Sequence, residues 1–229
     1  MKKNVMFVAM ALVVFAGLAQ AVPAEPYRLA FVTLPVYQAV ETDIAVYNGW
    51  LTTEANNPGS VVASLGLDWF VIGSTADVDA RDNTNTNPTL PNDAAGNGVG
   101  VPIYLVDGVT KIADDNADLW DGDIDHIIDQ VATGGATPGH LWAWSGGDAA
   151  MSGVAGKDGA QGANSGGPLG TAGEVVQGNG GDVTTWAWRM WTSDPSTTSL
   201  PLYAMSEIIP EPATMCLLGL GGLLLRRKR

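Results

Sequence analysis

The run Tyr27-Arg28-Leu29-Ala30-Phe31-Val32-Thr33-Leu34 predicts the first strand of a folded domain. Its β-branched and aromatic residues are typical of strands, and Pro35 ends it. Asp43 is then placed to cap a helix whose apolar side chains recur at helical spacing: Ile44, Tyr47, Leu51 and Ala55. A strand followed at once by such a helix favours a domain of the α+β class.

Further strand signals follow the helix and make the predicted domain strand-rich. Three short apolar runs are predicted strands: residues 68–73, 101–106 and 202–208. Asp107-Gly108 is typical of a hairpin turn, which would pair the second of these runs with residues 110–113. Residues 124–131 carry apolar side chains at helical spacing and predict a short amphipathic helix. We therefore expect one α+β domain over residues 22–209.

A glycine-rich stretch interrupts the second half of the domain. Residues 134–181 hold 16 of the 29 glycines, so we expect an irregular surface insertion at about residues 145–183. Two pairs of tryptophans flank it, each spaced so that both rings face one side of a strand: Trp142 with Trp144, and Trp186 with Trp188. Exposed pairs would form a platform for sugar rings, whereas buried pairs would belong to the core.

The amino end has the layout of a secretory signal peptide. Lys2-Lys3 precede an apolar segment at residues 5–18, and Ala19-Gln20-Ala21 fits a small-residue cleavage site. Residues 1–21 are therefore predicted to form a signal helix, which signal peptidase removes after recognising Ala19 and Ala21. The mature chain would begin at Val22 and would be exported.

The exported domain is strongly acidic. The whole chain carries a net charge of −13, but residues 22–212 hold five basic residues against all 24 acidic ones, a net charge of −19. Nucleic acid is excluded as a partner, since no basic patch could release phosphate counterions. Such a charge permits calcium or cationic sugars as partners. The single cysteine, Cys216, lies outside the domain, so no disulfide supports the fold.

The carboxyl end, residues 210–229, combines three signals. Pro210-Glu211-Pro212 precedes an uncharged, leucine-rich segment at residues 213–225, and Arg226-Arg227-Lys228-Arg229 closes the chain. As a helix the apolar segment spans roughly 20 Å, short of the ~30 Å hydrocarbon core of a bilayer. The four cations would stay at the cytoplasmic face. We therefore expect a hydrophobic transmembrane helix that holds the protein in the inner membrane transiently.

This layout resembles the PEP-CTERM sorting signal of Gram-negative bacteria. The resemblance rests on Pro210-Glu211-Pro212, the glycine-bearing apolar segment and the terminal basic cluster. It implies recognition by an exosortase, a membrane-embedded cysteine transpeptidase that processes its substrate near the Pro-Glu-Pro. It also implies a bacterium that makes exopolysaccharide, and a protein that passes from the inner membrane to the cell surface or the extracellular matrix.

The order of segments in the domain resembles the endostatin-like branch of the C-type-lectin-like fold. The resemblance rests on five segments: residues 30–33, 101–108, 117–122, the strand near 142, and 191–207. The cysteines that pin that fold are absent, and so are its Glu-Pro-Asn and Trp-Asn-Asp sugar-binding triplets. The resemblance therefore implies a fold and does not imply sugar binding.

Alternating carboxylates in an acidic stretch indicate a candidate calcium site. Its candidate ligands are Asp118, Asp121, Asp123 and Asp125. An EF-hand is excluded, because its sixth position is His126 rather than glycine and its twelfth is Ala132 rather than glutamate. The alternative is a solvated acidic surface without an ion.

No compact catalytic motif accompanies the two histidines, His126 and His140. Neither has a second histidine or a cysteine at metal-binding spacing, and no Gly-x-Ser-x-Gly turn is present. We therefore predict a non-catalytic surface or exopolysaccharide-associated protein. Two alternatives stay open: a calcium-dependent carbohydrate-binding module, and an envelope hydrolase whose serine or carboxylates converge on one histidine.

Overall fold

The computed structural model describes residues 23, 25–137, 142–148, 152–156, 166–187 and 193–210. The strands within these residues are β1 (Arg28–Val32), β2 (Tyr37–Gln38), β3 (Trp69–Val71), β4 (Ile103–Leu105), β5 (Lys111–Ala113), β6 (Trp142–Trp144), β7 (Glu174–Asn179), β8 (Ser193–Pro195), β9 (Ser199–Leu200) and β10 (Tyr203–Ser206). The helices are α1 (Ile44–Ala55), α2 (Ala80–Asn83) and α3 (Asn116–Leu119), with a 3-10 helix at Ala63–Leu65.

A mixed five-stranded sheet of order β3-β10-β1-β4-β5 forms the centre of the domain. Strand β1 runs antiparallel to β10, with Phe31 opposite Ala204, and parallel to β4, with Leu29 opposite Tyr104. The predicted first strand is confirmed, and it lies in the middle of the sheet. The predicted hairpin is confirmed as well, since β4 pairs antiparallel with β5. The first and last strands of the domain are therefore neighbours.

Both faces of β1 are covered, which explains the apolar run at residues 29–32. Successive side chains of a strand point to opposite faces, and the side chains of β1 divide accordingly. Ala30 and Val32 pack into one hydrophobic cluster, while Leu29 and Phe31 pack into a second cluster. Arg28 lies on the same face as Ala30 and is also buried. The sheet thus has core on both sides, with one cation inside it.

Helix α1 is confirmed as the sequence predicts. Asp43 caps it by accepting a hydrogen bond from the amide of Ala45 at 2.9 Å, as a side chain at an N-cap does. Its buried residues are Tyr47, Leu51 and Ala55. Asn48 accepts a hydrogen bond from the amide of Val71 at 2.8 Å and so joins the helix to β3. The 3.6-residue period therefore identified the face that packs on the sheet.

The helix predicted at residues 124–131 is wrong. The segment is irregular, because most of its backbone hydrogen bonds join it to other parts of the chain. The amide of Asp125 donates to the carbonyl of Ile112 at 2.8 Å, and the carbonyl of Gln130 accepts from the amide of Val32 at 2.9 Å. Three apolar residues of the segment are nevertheless buried: Ile124, Ile128 and Val131. Their spacing reflects contacts with the core rather than a helix.

Strand β7 corrects the expectation of an irregular insertion at residues 145–183. It pairs antiparallel with β6 on one side and with β8 on the other, which forms a three-stranded sheet. Gly178 within β7 is required by a close approach, because a side chain there would overlap the backbone of Trp186. The glycine content of this stretch predicted a loop. At Gly178 the glycine instead allows the backbone of a strand to approach the backbone of Trp186 closely.

Among the described residues, none of the helices has the length and apolar content needed to cross a bilayer. The predicted signal helix at residues 1–21 and the predicted transmembrane helix at residues 213–225 lie outside the described residues. Both therefore stay predictions.

Candidate functional site

The folded domain ends where the predicted sorting motif begins. Ile209 and Tyr27 form an antiparallel bridge in which the Ile209 amide donates to Tyr27 at 2.8 Å and the Tyr27 amide donates to Ile209 at 3.1 Å. Pro210, the next residue, is exposed. Glu211, Pro212 and the basic cluster at residues 226–229 lie outside the described residues. Tyr27, just before β1, and Ile209, just before the motif, are therefore neighbours.

Arg28 lies behind this junction and joins the last strand to a surface loop. Its side chain is 1% exposed. The guanidinium donates to three backbone carbonyls: Ser206 at 2.7 Å, Ala95 at 2.6 Å and Asn85 at 3.2 Å. Burial lowers the pKa of Arg28 to about 10, although the carboxylates of Glu207 and Asp93 act in the opposite direction. Arg28 therefore remains a buried cation at neutral pH, and carbonyl dipoles are its hydrogen-bond partners.

The loop that Arg28 holds, residues 85–100, is organised by side chains that bond to its backbone. One oxygen of Asp93 accepts from three amides at 2.8–3.0 Å: Ala95, Gly96 and Asn97. The bond from the Asn97 side chain to the other oxygen is the main reason that the pKa of Asp93 lies below its ordinary value. Asn116, which is fully buried at the start of α3, donates to the carbonyls of Gly96 and Gly98 at 2.8 and 2.9 Å. The loop is therefore held in one conformation.

A cavity of about 180 Å³ opens between this loop and the end of the last strand. Its polar lining includes Asn92, Asp93 and Asn97, and its apolar lining consists of Val99, Val101 and Ile208. Val99 is 62% exposed. Because Ile208 precedes Pro210 by two residues, the cavity lies next to the point where the sorting motif leaves the domain.

The predicted calcium ligands are only partly brought together. Asp118 and Asp125 group with Asp114, with carboxylate oxygens within 4.8 Å of one another, whereas Asp121 and Asp123 do not join that group. The ammonium of Lys111 pairs with Asp114 and, at 3.2 Å, with Asp125. The hydrogen bonds that its ammonium donates to Asp114 and then to Asp125 raise the pKa of Lys111. A lysine therefore already supplies positive charge where a calcium ion would have to bind.

The tryptophans predicted as a sugar platform are divided between core and surface. Trp144 and Trp186 are fully buried. The indole N–H of Trp144 donates to the carbonyl of Tyr37 at 2.8 Å, and the ring of Trp186 packs against that of Trp120. Trp142 is half-buried, and Trp188 lies outside the described residues. Neither buried indole presents a face on which a sugar ring could stack.

Of the two histidines, only His126 lies within the described residues. It is partly buried, and its Nδ1 lies 2.8 Å from the carbonyl oxygen of the next residue, Ile127. Because a carbonyl oxygen can only accept, Nδ1 is the donor in this hydrogen bond. The hydrolase alternative would need a nucleophile beside the other ring nitrogen.

Comparison with known proteins identifies one family, at the carboxyl end. A family model for the PEP-CTERM protein-sorting motif matches residues 209–229. The match begins at Ile209, the residue that closes the sheet with Tyr27. No curated protein and no solved structure matches the chain, so the lectin-like resemblance stays a prediction. The chain therefore carries a PEP-CTERM sorting motif, which marks it as an exported protein that an exosortase sorts.

Proposed function

We propose that this protein is a non-catalytic component of the cell surface or extracellular matrix, associated with exopolysaccharide. The observation that carries the proposal is the position of Ile209. This residue forms a backbone bridge with Tyr27 and is also the first residue that matches the sorting motif. The folded domain is therefore joined directly to the motif and is sorted together with it. Its role would then be exerted at its destination, outside the inner membrane.

The way the polar side chains are used supports a structural role. Asp93 and Asn97 hydrogen-bond to each other and to backbone amides of one loop, and the side-chain nitrogen of Asn116 donates to two carbonyls of the same loop. Asp107 likewise accepts hydrogen bonds from the amides of Val109 and Thr110 and from two side chains. Groups committed in this way rigidify a fold and are not free to transfer protons to a substrate.

The charge of the domain limits the kind of polymer with which it would associate. A net charge of −19 over residues 22–212 repels acidic polysaccharides at low ionic strength. A neutral or amino-sugar polymer avoids this repulsion. We therefore expect association with a neutral or cationic polysaccharide to persist at low salt, where association with an acidic polymer would be weakest.

Fractionation of the producing bacterium, with intact-mass analysis of the purified protein, tests the proposal. We expect a mature chain that begins near Val22, lacks the segment that follows the Pro-Glu-Pro and is recovered with the surface or matrix fraction. Replacing Pro210 and Pro212 by alanine should leave the full-length chain in the inner membrane. Pro91→Ala, an exposed proline of the domain, is the matched control and should be processed normally.

Two outcomes would contradict the proposal. Retention of residues 210–229 at the final location would mean that the motif is not processed. A mature protein found free in the medium, with no polysaccharide in the same fraction, would contradict the matrix role while leaving the sorting step intact.

A further inference from the structure

The sorting motif leaves the domain without a spacer. Ile209 is hydrogen-bonded to Tyr27, and an extended chain advances only ~3.3 Å per residue. The Pro-Glu-Pro therefore starts directly after a residue that is hydrogen-bonded into the fold. An enzyme that grips Pro210-Glu211-Pro212 must come into contact with the folded domain or must first open its edge.

Arg28 limits how far that edge can open. Detaching residues 207–209 from the sheet breaks only a few backbone hydrogen bonds, as is usual where the end of a strand frays. Going further would remove the carbonyl of Ser206 from the buried guanidinium and its hydroxyl from the amide of Leu29. Leaving a buried charged donor unpaired is costly. The free chain before the motif is thus at most the few residues after Ser206, roughly 13 Å when extended.

The surface within this reach is suited to a partner. The cavity of about 180 Å³ contains Ile208 itself, and its volume resembles that of an engineered ~150 Å³ cavity in another protein that takes up benzene. Val99, on its lining, is 62% exposed although apolar. Asp93, which is exposed, also lines the cavity and gives it a carboxylate. An apolar side chain flanked by a cation would complement this surface.

We propose that this cavity, lined by Val99, Val101 and Ile208 together with the carboxylate of Asp93, is a docking surface for the exosortase. The enzyme would insert one apolar side chain and place a basic residue against Asp93 while it holds the motif. The inference rests on the proposed processing of the motif. The exosortase is the expected occupant, because it must approach to within roughly 13 Å of the sheet in order to hold the motif.

Pulse-chase processing of the full-length protein in the producing bacterium tests the docking surface. Val99→Glu puts a charge on the exposed lining, and we expect it to slow conversion to the mature mass roughly tenfold. Val109→Glu is the matched control. Val109 is 59% exposed and lies in the turn after β4, at the end of that strand remote from the junction. We expect it to be processed at the native rate.

A flexible spacer inserted before the motif distinguishes docking on the domain from recognition of the motif itself. Eight glycine and serine residues inserted between Ile209 and Pro210 span roughly 15 Å as a flexible coil, so the enzyme could hold the motif without touching the domain. In that background Val99→Glu should have no further effect. Resistance of each full-length variant to a soluble protease verifies that the domain is folded.

The outcomes separate this inference from the proposed function. If the native protein is processed and Val99→Glu matches its rate, the docking surface is refuted while the sorting function stands. Equal slowing by Val99→Glu and Val109→Glu, or slowing that persists with the spacer, would also refute it, because the effect would then not depend on proximity to the motif. If the native protein itself is never processed, the proposed function has failed.

Discussion

The guanidinium of Arg28 donates a hydrogen bond to the carbonyl oxygen of Ser206 at 2.7 Å, across 178 positions of the chain. The hydroxyl of Ser206 accepts in turn from the amide of Leu29 at 2.9 Å. Strands β1 and β10 are therefore joined by side chains as well as by their ladder. The same guanidinium reaches two carbonyls of the loop at residues 85–100, so one buried cation couples the sheet to the surface around the sorting junction.

Replacing Arg28 by methionine should destabilise the domain by about 2–4 kcal/mol, because three carbonyls would lose a charged donor that is almost fully shielded from solvent. Urea unfolding of the exported domain measures this change. Arg81→Met is the control. Arg81 is partly exposed and makes a 3.9 Å ion pair with Asp79, a kind of contact worth at most about 1 kcal/mol. Equal costs for the two substitutions would contradict the role assigned to Arg28.

Gly96→Ala should also be destabilising, by about 2 kcal/mol or more. Gly96 has a φ of +111°, and a Cβ there would overlap the Arg28 guanidinium and lie 2.9 Å from Ile208. Gly49→Ala is the matched substitution inside α1, where nothing lies within 4 Å of the added carbon. It should stabilise the domain by about 0.5–1 kcal/mol. Thermal unfolding of both variants tests the pair, and a stable Gly96→Ala protein would contradict the packing described.

Asp107 should make the domain acid-sensitive. Partial burial alone would raise the pKa of Asp107, but hydrogen bonds led by those from Thr110 and Val109 outweigh it and lower the pKa to about 2. A folded-state pKa below the unfolded one gives stability that is present above about pH 4 and is lost as the pH falls towards 2. Melting temperatures from pH 6 to pH 2 should therefore fall less steeply for Asp107→Asn than for the native protein. The exposed Asp77→Asn should keep the native slope, and an unchanged slope for Asp107→Asn would contradict the prediction.

Calcium should leave the melting temperature of the native domain unchanged. Lys111 already pairs with Asp114 and Asp125, so an ion would have to displace an ammonium from two carboxylates. Lys111→Met removes this competitor and should make the melting temperature rise with millimolar calcium. Differential scanning calorimetry with calcium and with a chelator measures both proteins. A calcium-dependent rise in the native protein would revive the calcium-dependent carbohydrate-binding alternative.

Local sequence patterns correctly predicted the strand and the helix whose buried side chains recur at the spacing of a regular element. The run from Tyr27 to Leu34 and the helix capped by Asp43 both appear where expected, because each buries a regular face. Residues 124–131 carry the same helical period but find their hydrogen-bond partners in β1 and β5. A period in the sequence cannot distinguish a helix face from an irregular segment with the same buried positions.

The residues around the sorting junction were harder to predict than the motif. Pro210-Glu211-Pro212 is a contiguous signal, whereas the surroundings of Arg28 are assembled from Asn85, Ala95 and Ser206, which are distant in sequence. The available signal was the single charge within an apolar strand, since a buried arginine needs partners. The tryptophan pairs show the same limit, because spacing predicts which rings share a face and leaves open whether that face is buried.

The position of β10 between β1 and β3 affects when the domain can fold. Until residues 203–206 have crossed the membrane, β3 has no link to β1, and β1 has no antiparallel neighbour. Contacts so distant in sequence form slowly and only when nearly the whole chain is present. Folding is therefore timed by arrival of the last strand. A chain truncated at any point before β10 would reach the exterior without a closed core and would be exposed to proteolysis there.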